Sequence, residues 1–467
     1  MFIPDSKEWA TTLFGNAQLG DPRRTNRLIK LANDMAQNVN ASVCSSSRDP
    51  ASIEGAYRFI RNDNIAPEAI AEAGYQYTDA VVRERPLVLA LQDTTGLSYR
   101  HSVCEELGEV NSSNSTKNSS KGRTYYAHST LMLDAQHEQV LGLAYQHYWY
   151  RDKKSSGKYH ELQCRKRQEK ESYKWQHNVE QLSERLGSLD NIIDVCDREA
   201  DMYEYLDYQL SKGHRFVVRA SENRRVSGTE NKLSKVIDNL NTKDYYNLNI
   251  PQKGGRPART AKIAVGYTEV TLMKPQRAIA QPEILVNIVV CQEVETNEGI
   301  QPLRWVLYTS EPIASAKDAR KIARYYELRW RIEEFHKIWK TDGTQVEKLR
   351  MQSRDNLRRV AVIQAFIAVR LFQLKELAQN KEEAKEIPCT VYFSNISWKI
   401  LWKSTDKNKP FPDEPPSLYW SYYALAKLGR WHDSKRNGRV GTIALWNGWL
   451  QLMQLVESYE LLQGLDL

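Results

Sequence analysis

The nine residues from Arg85 to Asp93, RPLVLALQD, decide the fold class of this chain of 467 residues. The continuous apolar run from Leu87 to Leu91 predicts a strand that is buried on both faces of a sheet, and an acid ends the segment. Further along, NIIDVCD at Asn191–Asp197 repeats this pattern of an apolar run ending in an acid. A polar, helix-compatible stretch lies between the two runs, so the sequence predicts an α/β fold.

Five other segments carry strand patterns. They are STLMLD, VLGLAYQ, RFVVRA, EILVNIVVCQ and LRWVLYTSE, which begin at Ser129, Val140, Arg215, Glu283 and Leu303. A short turn at 135–138 is predicted to join the first two. Between Ala220 and Glu283 the helical period disappears and polar β-type segments alternate with Gly and Pro, which predicts a β-rich insertion over about 221–283.

The beginning of the chain predicts short helices. Asp21 can cap a helix whose first residue is Pro22, and Arg23 and Arg27 then lie on one exposed face, as a helix that contacts DNA phosphates requires. The apolar residues of this helix share another face and are Leu28, Leu31 and Met35.

A long helix is predicted to begin at Ser315, because Ser315 and Asp318 can form a capping box before the run KDARKIARYYELRWRIEEFHKIWK. We interpret Trp330 and Trp339 as the side that packs this helix against the sheet. The chain after residue 372 is predicted to be mostly helical.

Three acids stand where a strand ends or a helix exposes one face: Asp93, Asp197 and Glu333. Acids after buried strands emerge at the carboxyl edge of a sheet, where ligands and metals collect. Three hard oxygen ligands suit Mg²⁺ or Mn²⁺ rather than zinc, and a pair of such ions would bind on either side of a phosphodiester. The alternative is that these acids are strand-end caps and surface residues.

The stripe that Glu333 shares with other residues of the long helix favours the metal site. Tyr326, Arg329, Glu333 and Lys340 are spaced by 3, 4 and 7 residues, which places them along one face. The two cations would hold phosphates beside the metal ligand.

These segments resemble those of the insertion-sequence-four family of DDE transposases. YELRWRIEEFHKIWK (326–340) is similar to the family's Tyr-Arg-Glu-Lys signature, and LQDTTGLSYRH, VCDREAD and LGDPRRTNRL are similar to its first-Asp, second-Asp and head-helix segments. EGAYRFIRN and DSKRNG match others, so the similarity covers nearly the whole chain.

The resemblance implies a ribonuclease-H-like catalytic core over 71–372 with the β-rich insertion, an α-helical DNA-end-binding head over 1–70 and an α-helical C-terminal dimerisation domain over 373–467. It implies a cut-and-paste transposase that cleaves transposon ends by metal-dependent hydrolysis and hairpin formation and joins their 3′ ends to target DNA. Its partners would be double-stranded DNA and, in a synaptic complex, a second copy of the chain.

The resemblance also implies roles for single residues. Asp93, Asp197 and Glu333 would be the catalytic, metal-binding triad and hold two Mg²⁺ ions, with Mn²⁺ as a substitute. Trp305 would stack on a base flipped out of the duplex, and its alternative is a core tryptophan. The remaining implied DNA contacts are Tyr326, Arg329, Lys340, Arg219, Arg23, Arg24 and Arg27.

Composition limits the other function classes. The formal charge of +8 leans toward a polyanionic partner, and basic residues concentrate in Arg151–Lys174 and between Lys253 and Lys262. Without an apolar run of membrane-spanning length or a secretory leader we expect a protein of the bacterial cytoplasm, bound to the nucleoid when on DNA, with no membrane partner. Six scattered cysteines predict reduced thiols.

The sequence leaves three interpretations of the protein's function open. Besides an active transposase, the chain could be a DNA-binding, dimerising inhibitor of transposition or a nuclease of the same fold. The intact LGDPRRTNRL helix and the three acids favour the first. A C-terminal helix with Trp446, Trp449, Leu450, Met453 and Leu461 is either a dimer interface or an ordinary core helix.

Overall fold

The computed structural model describes residues 3, 5–38, 42–47, 49–107, 123–151, 167–250, 258–295, 301–379, 381–391, 393–432 and 440–463. The basic residues at 152–166, the polar loop at 109–122, Lys253, Arg256 and the DSKRNG segment lie outside these ranges. The described helices include none that is both long and apolar enough to cross a membrane. The described cysteines are free thiols, as predicted.

Nine strands form one mixed sheet. They are β1 (Val88–Tyr99), β2 (Arg123–Asp134), β3 (Val140–Trp149), β4 (Ile192–Cys196), β5 (Arg215–Arg219), β6 (Asp244–Ile250), β7 (Arg259–Met273), β8 (Glu283–Glu293) and β9 (Arg304–Thr309). Their order is β3-β2-β1-β4-β5-β9-β8-β7-β6, with β1, β4 and β5 parallel and the other pairings antiparallel. The predicted strands are confirmed, and the strands of the β-rich insertion extend the central sheet through β8.

Helices precede, separate and follow the strands of this sheet. Those before the sheet are α1 (Ser6–Phe14), α2 (Pro22–Gln37), α3 (Val43–Ser46), α4 (Pro50–Ile60) and α5 (Pro67–Arg83). Those between the strands are α6 (Lys174–Leu186), α7 (Tyr203–Ser211) and α8 (Leu233–Asp238). After the sheet come α9 (Ala316–Leu328), α10 (Trp330–Lys337), α11 (Arg354–Gln379), α12 (Lys381–Glu386), α13 (Asn395–Thr405), α14 (Leu418–Leu428) and α15 (Thr442–Gln463).

The central strands of the sheet are buried on both faces, as the apolar run predicted. Leu89 and Leu91 of β1 join one core, which includes Phe335 of α10 and Phe366 of α11. The neighbours that alternate with them point to the opposite face and join a second core with Trp175 of α6. A third core holds the C-terminal helices together.

The capping residues predicted from the sequence begin helices α2 and α9 in the structure. Asp21 accepts a hydrogen bond from the backbone N–H of Arg23 at the start of α2, and Pro22 is its first residue. Ser315 and Asp318 form the predicted capping box at the start of α9. These signals depend on residues within one turn, so they can be recognised without the tertiary structure.

The prediction of one long helix through residue 340 was wrong. The helix is interrupted at Arg329, whose backbone N–H donates to the carbonyl of Tyr326, three residues back rather than four. A π-helical turn at Ile338–Asp342 follows α10. Trp339 packs as predicted and is fully buried, whereas Trp330 is 50% exposed, so its assignment to the packing side was wrong.

A buried acid beneath the sheet gives the protein a testable dependence on pH. Burial raises the pKa of Glu376, on α11, from 4.5 to about 7, although the Arg331 guanidinium lies 2.8 Å from its carboxylate. Because the pKa of Glu376 is higher in the folded than in the unfolded state, the protonated carboxyl favours the folded protein. This contribution to stability is fully present below about pH 4.5 and is lost as the pH rises through about 7. The shift corresponds to about 3 kcal/mol.

We therefore expect the free energy of unfolding of the wild type to fall between about pH 5 and about pH 8 relative to that of Glu376→Gln, which cannot ionise. Urea unfolding of both proteins at the two pH values measures this difference. A difference that does not change with pH would contradict the assignment of this titration to Glu376.

Candidate active site

The register of the two central parallel strands brings the first two acids to one edge of the sheet. Each β1 residue pairs with the β4 residue 104 positions later, from Val88 with Ile192 to Leu91 with Val195. Asp93 and Asp197 have the same separation, so continuing this register places them side by side on neighbouring strands. The spacing of such strands is roughly 5 Å.

Asp93 does not end its strand, and that part of the prediction was wrong. β1 continues to Tyr99 because it stays paired with β2, where Asp93 lies opposite Ser129. Its parallel pairing with β4 does stop at Leu91, before the acid. Asp197 directly follows β4, as predicted, and caps a short 3-10 turn by accepting the backbone N–H of Glu199 at 2.8 Å.

The two carboxylates have opposite pKa shifts. Burial tends to raise the pKa of Asp93, but the imidazole of His336 and the charge of Arg329 outweigh it and hold that pKa below its usual value. Burial raises the pKa of Asp197, and the negative charge of Asp93 adds to the increase. The two acids therefore interact, and a cation between them would relieve their repulsion.

Arg329 connects Glu333 to this edge of the sheet. Its Nη2 donates to Glu333 Oε1 at 2.7 Å, and its Nη1 lies 3.8 Å from Asp93 Oδ1. The guanidinium is nearly buried, and although burial opposes its charge, Asp93, Tyr326 and Glu333 raise its pKa. Arg329 thus contacts two of the three predicted acids, Asp93 and Glu333, and its charge also lowers the pKa of the third, Asp197, against the effect of burial.

Tyr326 lies beside Arg329 and contacts two other predicted residues, Trp305 and Arg219. The ring of Tyr326 lies 5.8 Å from the Arg329 guanidinium and meets the half-buried ring of Trp305 edge-on at 5.5 Å between centroids. Arg219, at the end of β5, donates from Nη1 to the Tyr326 hydroxyl at 3.5 Å. Trp305 is therefore neither a fully buried core residue nor fully exposed.

Lys340 lies on the π-helical turn and reaches β1 three residues beyond Asp93. Its Nζ donates to the carbonyl of Gly96 at 2.6 Å and lies 3.5 Å from Glu347 Oε1. Glu347 in turn accepts the backbone N–H of Ser98 at 2.8 Å. The predicted cation thus contacts the strand that carries Asp93, and it is engaged by groups of the chain itself.

One residue of the site was missed by sequence reasoning. His336 follows Glu333 by three positions, the helical spacing of two side chains on one face, and this spacing was the available signal. Its Nδ1 lies 3.7 Å from Asp93 Oδ2 and its Nε2 lies 3.2 Å from Ser129 Oγ. It is buried, and so fills the space between α10 and β1.

The donor chemistry of the site fits a divalent cation, whereas its spacing is not that of an assembled metal centre. Carboxylate oxygens are the ligands that Mg²⁺ and Mn²⁺ prefer. Within the ranges given above, no group of three or more His, Cys, Asp or Glu side chains is positioned to hold a metal ion. Arg329 lies against two of the carboxylates, with its Nη1 buried and without a hydrogen-bond partner.

The predicted head arginines form a separate site. A cavity of about 360 Å³ lies between α2 and α4, and the residues that line it include four arginines and one glutamate: Arg23, Arg24, Arg27, Arg58 and Glu54. Arg23 is almost fully exposed, whereas Arg24 donates to the carbonyl of Leu19 at 2.9 Å. Arg27 packs against Gly55, where a Cβ would lie 2.6 Å from the guanidinium carbon.

Two segments of this chain match known protein families. The transposase DNA-binding family matches residues 6–65, and the transposase DDE domain matches residues 153–370. The second range includes Asp197 and Glu333 but not Asp93. The α/β fold with a ribonuclease-H-like core and a helical N-terminal region is thereby confirmed.

A solved structure also shows a distant likeness. It is a cryo-EM structure of the piggyBac transposase synaptic complex with hairpin DNA, which is 10% identical to this chain with a TM-score of 0.36. The match covers 98% of this chain and 80% of that one.

Proposed function

Because the transposase DNA-binding family matches residues 6–65 and the transposase DDE domain matches residues 153–370, we propose that the chain is a DDE transposase that moves DNA by a cut-and-paste route. It binds the ends of a transposon, cleaves them and joins their 3′ ends to target DNA. The observation that supports this proposal is that Arg329 contacts Asp93 and Glu333, while the charges of Arg329 and Asp93 both act on Asp197.

The proposed catalytic residues are these three carboxylates. DDE domains generally use divalent metal ions, and we propose two Mg²⁺ ions, replaceable by Mn²⁺, held by Asp93, Asp197 and Glu333. Such ions supply activation of the attacking oxygen and stabilisation of the leaving one. Arg329, which neutralises Asp93 and Glu333 in the structure, is then free to pair with a phosphate.

The groups around Arg329 form the proposed DNA contact surface. Tyr326, Arg329 and Lys340 contact phosphates near the cleaved end, and Arg219 adds a further cation at the rim. The half-buried ring of Trp305, already edge-on to Tyr326, stacks on a base flipped from the duplex during hairpin formation. Their clustering on one edge of the sheet supports a single DNA strand passing over all of them.

The reaction sequence requires the site to catalyse the same type of phosphoryl transfer four times. Water cleaves one strand, the freed 3′ hydroxyl attacks the opposite strand to give a hairpin, water reopens it, and the 3′ hydroxyl attacks target DNA. Each step is an in-line displacement at phosphorus, in which one oxygen–phosphorus bond forms and another breaks. Positioning and charge neutralisation account for most of such catalysis, so one triad can serve all four steps.

We propose further that the chain belongs to the insertion-sequence-four family, with motifs like those of the transposase of bacterial transposon five. We propose that it is divided into a head (1–70), a catalytic core (71–372) and a C-terminal domain (373–467). We also propose that it acts in the bacterial cytoplasm, at the nucleoid. We propose that a homodimer forms on DNA through α15. Trp446 of this helix is buried, but Leu461 near its end is 72% exposed and available to a second copy.

Cleavage and joining of DNA test this function. Purified protein is incubated with Mg²⁺ and DNA carrying the end of its own element, with a plasmid as target, and the products are separated on a denaturing gel. We expect cleaved, hairpin and joined products that disappear when the metal is chelated. Binding without cleavage in Mg²⁺ or Mn²⁺ would indicate an inhibitor of transposition, and cleavage without joined products would indicate a nuclease.

The head cavity gives a prediction about end binding. Arg27→Ala removes one guanidinium from the cavity between α2 and α4, so the affinity for end DNA should fall by roughly tenfold. The slope of log affinity against log salt should fall by about one, because one phosphate contact is lost. Fluorescence anisotropy over a salt series measures both, and Lys7→Ala is the control, since Lys7 is exposed on α1 and does not line the cavity. An equal loss in the two variants would refute a specific role for the cavity.

A further inference from the structure

The two strands that carry Asp93 and Asp197 are not joined by backbone pairing where these acids emerge. The parallel pairing of β1 with β4 ends at Leu91 and Val195, two positions before each acid. Two side chains link the strands at this end of the pairing: Gln92, one residue beyond the last pair on β1, donates from Nε2 to Oδ1 of Asp194, one residue before the last pair on β4, at 2.7 Å. Both are buried, on the face of the sheet opposite to Asp93.

This cross-strand link is the centre of a longer buried network. His128 of β2 lies with Nε2 2.9 Å from Gln92 Oε1 and with Nδ1 2.8 Å from the Thr94 hydroxyl. On the other side, Asp194 accepts hydrogen bonds from Tyr205 and Gln209 of α7 and from the Cys196 thiol. The network therefore ties β1, β2, β4 and α7 together.

The chemistry of these groups determines the direction of the hydrogen bonds. Gln92 uses its Nε2 to donate to the carboxylate, so its Oε1 must accept, and His128 Nε2 must be the protonated nitrogen. His128 Nδ1 then accepts from Thr94. Asp194 is an acceptor for four donors, which explains how a carboxylate can be buried on this face without an opposing cation within the described network.

We propose that Gln92 and Asp194 are positioning residues, which hold β1 and β4 at a fixed separation where their pairing stops, so that Asp93 and Asp197 can share metal ions. The proposal rests on the proposed function. Gln92 and Thr94 flank Asp93 on its own strand, and Asp194 and Cys196 precede Asp197 within one to three residues. A change in the link thus acts on the acids through the backbone, without touching DNA or metal.

Exchanging the two partners tests the link itself. Gln92→Glu places two carboxylates together. In Asp194→Asn the single amide oxygen is needed by the donors Tyr205 and Gln209, so the NH₂ group faces that of Gln92 and this variant also breaks the bond. In the double variant, the carboxylate introduced at position 92 can accept both from His128 and from the amide introduced at position 194, which restores the link with its direction reversed. A positioning role predicts loss in each single variant and recovery in the double variant.

The main readout is metal binding, measured by titration of each protein with Mn²⁺ and electron paramagnetic resonance of the free ion, without DNA. We expect each single variant to bind Mn²⁺ roughly 10- to 100-fold more weakly than the wild type, and the double variant to recover most of the loss. The cleavage rate at saturating DNA should follow the same order. The affinity for end DNA, which depends on the head, should stay unchanged in all variants.

Two controls separate positioning from a general loss of stability. Thr78→Val removes a buried hydrogen bond between α5 and the carbonyl of Leu143 in β3, remote from the acids, and should leave Mn²⁺ binding at the wild-type level. Thr94→Val removes only the outer bond to His128 and should weaken Mn²⁺ binding several-fold. It tests the network even if the single variants at the centre fail to fold.

The outcomes distinguish this inference from the proposed function. If the wild type binds Mn²⁺ and cleaves DNA but Gln92→Glu, Asp194→Asn and Thr94→Val bind Mn²⁺ as it does, the link has no positioning role while the transposase assignment stands. If the double variant is as weak as the sum of the single ones, the link is likewise rejected. If the wild type neither binds Mn²⁺ nor cleaves, both the proposed function and this inference fail.

Discussion

Glu333→Gln should lower the rate of DNA cleavage on the order of a thousandfold while leaving the affinity for end DNA unchanged. The substitution keeps the size of the side chain and an oxygen that Arg329 Nη2 can contact, but removes the negative charge that would bind a metal ion. Glu333 is partly exposed, and its ion pair is with Arg329, only four residues away along the chain. The fold should therefore not depend on this carboxylate. Single-turnover cleavage at saturating DNA measures the effect.

Glu334→Gln is the matched control for this substitution. Glu334 is the next residue on the same helix, but its carboxylate pairs with Lys375 of α11 rather than with Arg329. Its cleavage rate should stay within about threefold of the wild type. Comparable losses in the two variants, or full activity of Glu333→Gln, would remove Glu333 from the proposed catalytic triad.

Gly448→Ala should destabilise the C-terminal helices by about 3 kcal/mol or more, although alanine is the better helix former. The helices α14 and α15 touch backbone to backbone: a Cβ at Gly448 would lie 1.8 Å from the carbonyl oxygen of Leu425, and one at Gly429 would lie 1.8 Å from that of Ala444. The helices must separate to admit the methyl group. This separation opens the core of buried apolar side chains beneath them.

The destabilisation can be measured by thermal unfolding and by limited proteolysis of the C-terminal region. Gly441→Ala is the control, because no heavy atom lies within 4 Å of a Cβ at that position and the change is expected to stay within about 1 kcal/mol. If α15 also supplies the dimer contact, Gly448→Ala should reduce the paired-end complex on DNA as well. Wild-type unfolding of Gly448→Ala would show that the close approach of the two helices is not required.

Several features of the fold were predicted because their signals are local. The apolar run at Leu87–Leu91 belongs to a strand buried on both faces, and the caps at Asp21 and Ser315 begin the helices that the structure shows. A side-chain period or a capping hydrogen bond involves residues a few positions apart. Such a signal survives in the sequence whatever the rest of the chain does.

The grouping of the candidate site was predicted only in part. Asp93, Asp197 and Glu333 were identified as acids at strand ends and on one helix, and the motif resemblance selected them. The equal offset of 104 residues between the acids and between paired strand residues became meaningful only once the parallel register was known. The interruption at Arg329, the exposure of Trp330 and the approach of His336 to Asp93 were not predicted.

By itself, then, the sequence determined the element types, the helix caps and the α/β class, since these follow from side-chain identity and short-range spacing. The candidate residues for acid and DNA-binding chemistry came from the motif resemblance. The tertiary structure alone decided that Arg329 lies against Asp93 and Glu333, that Gln92 meets Asp194, and that two glycines let α14 and α15 touch. These contacts join residues up to 236 positions apart (Asp93 to Arg329). They depend on register, crossing angles and packing of the whole chain, which short-range spacing does not encode.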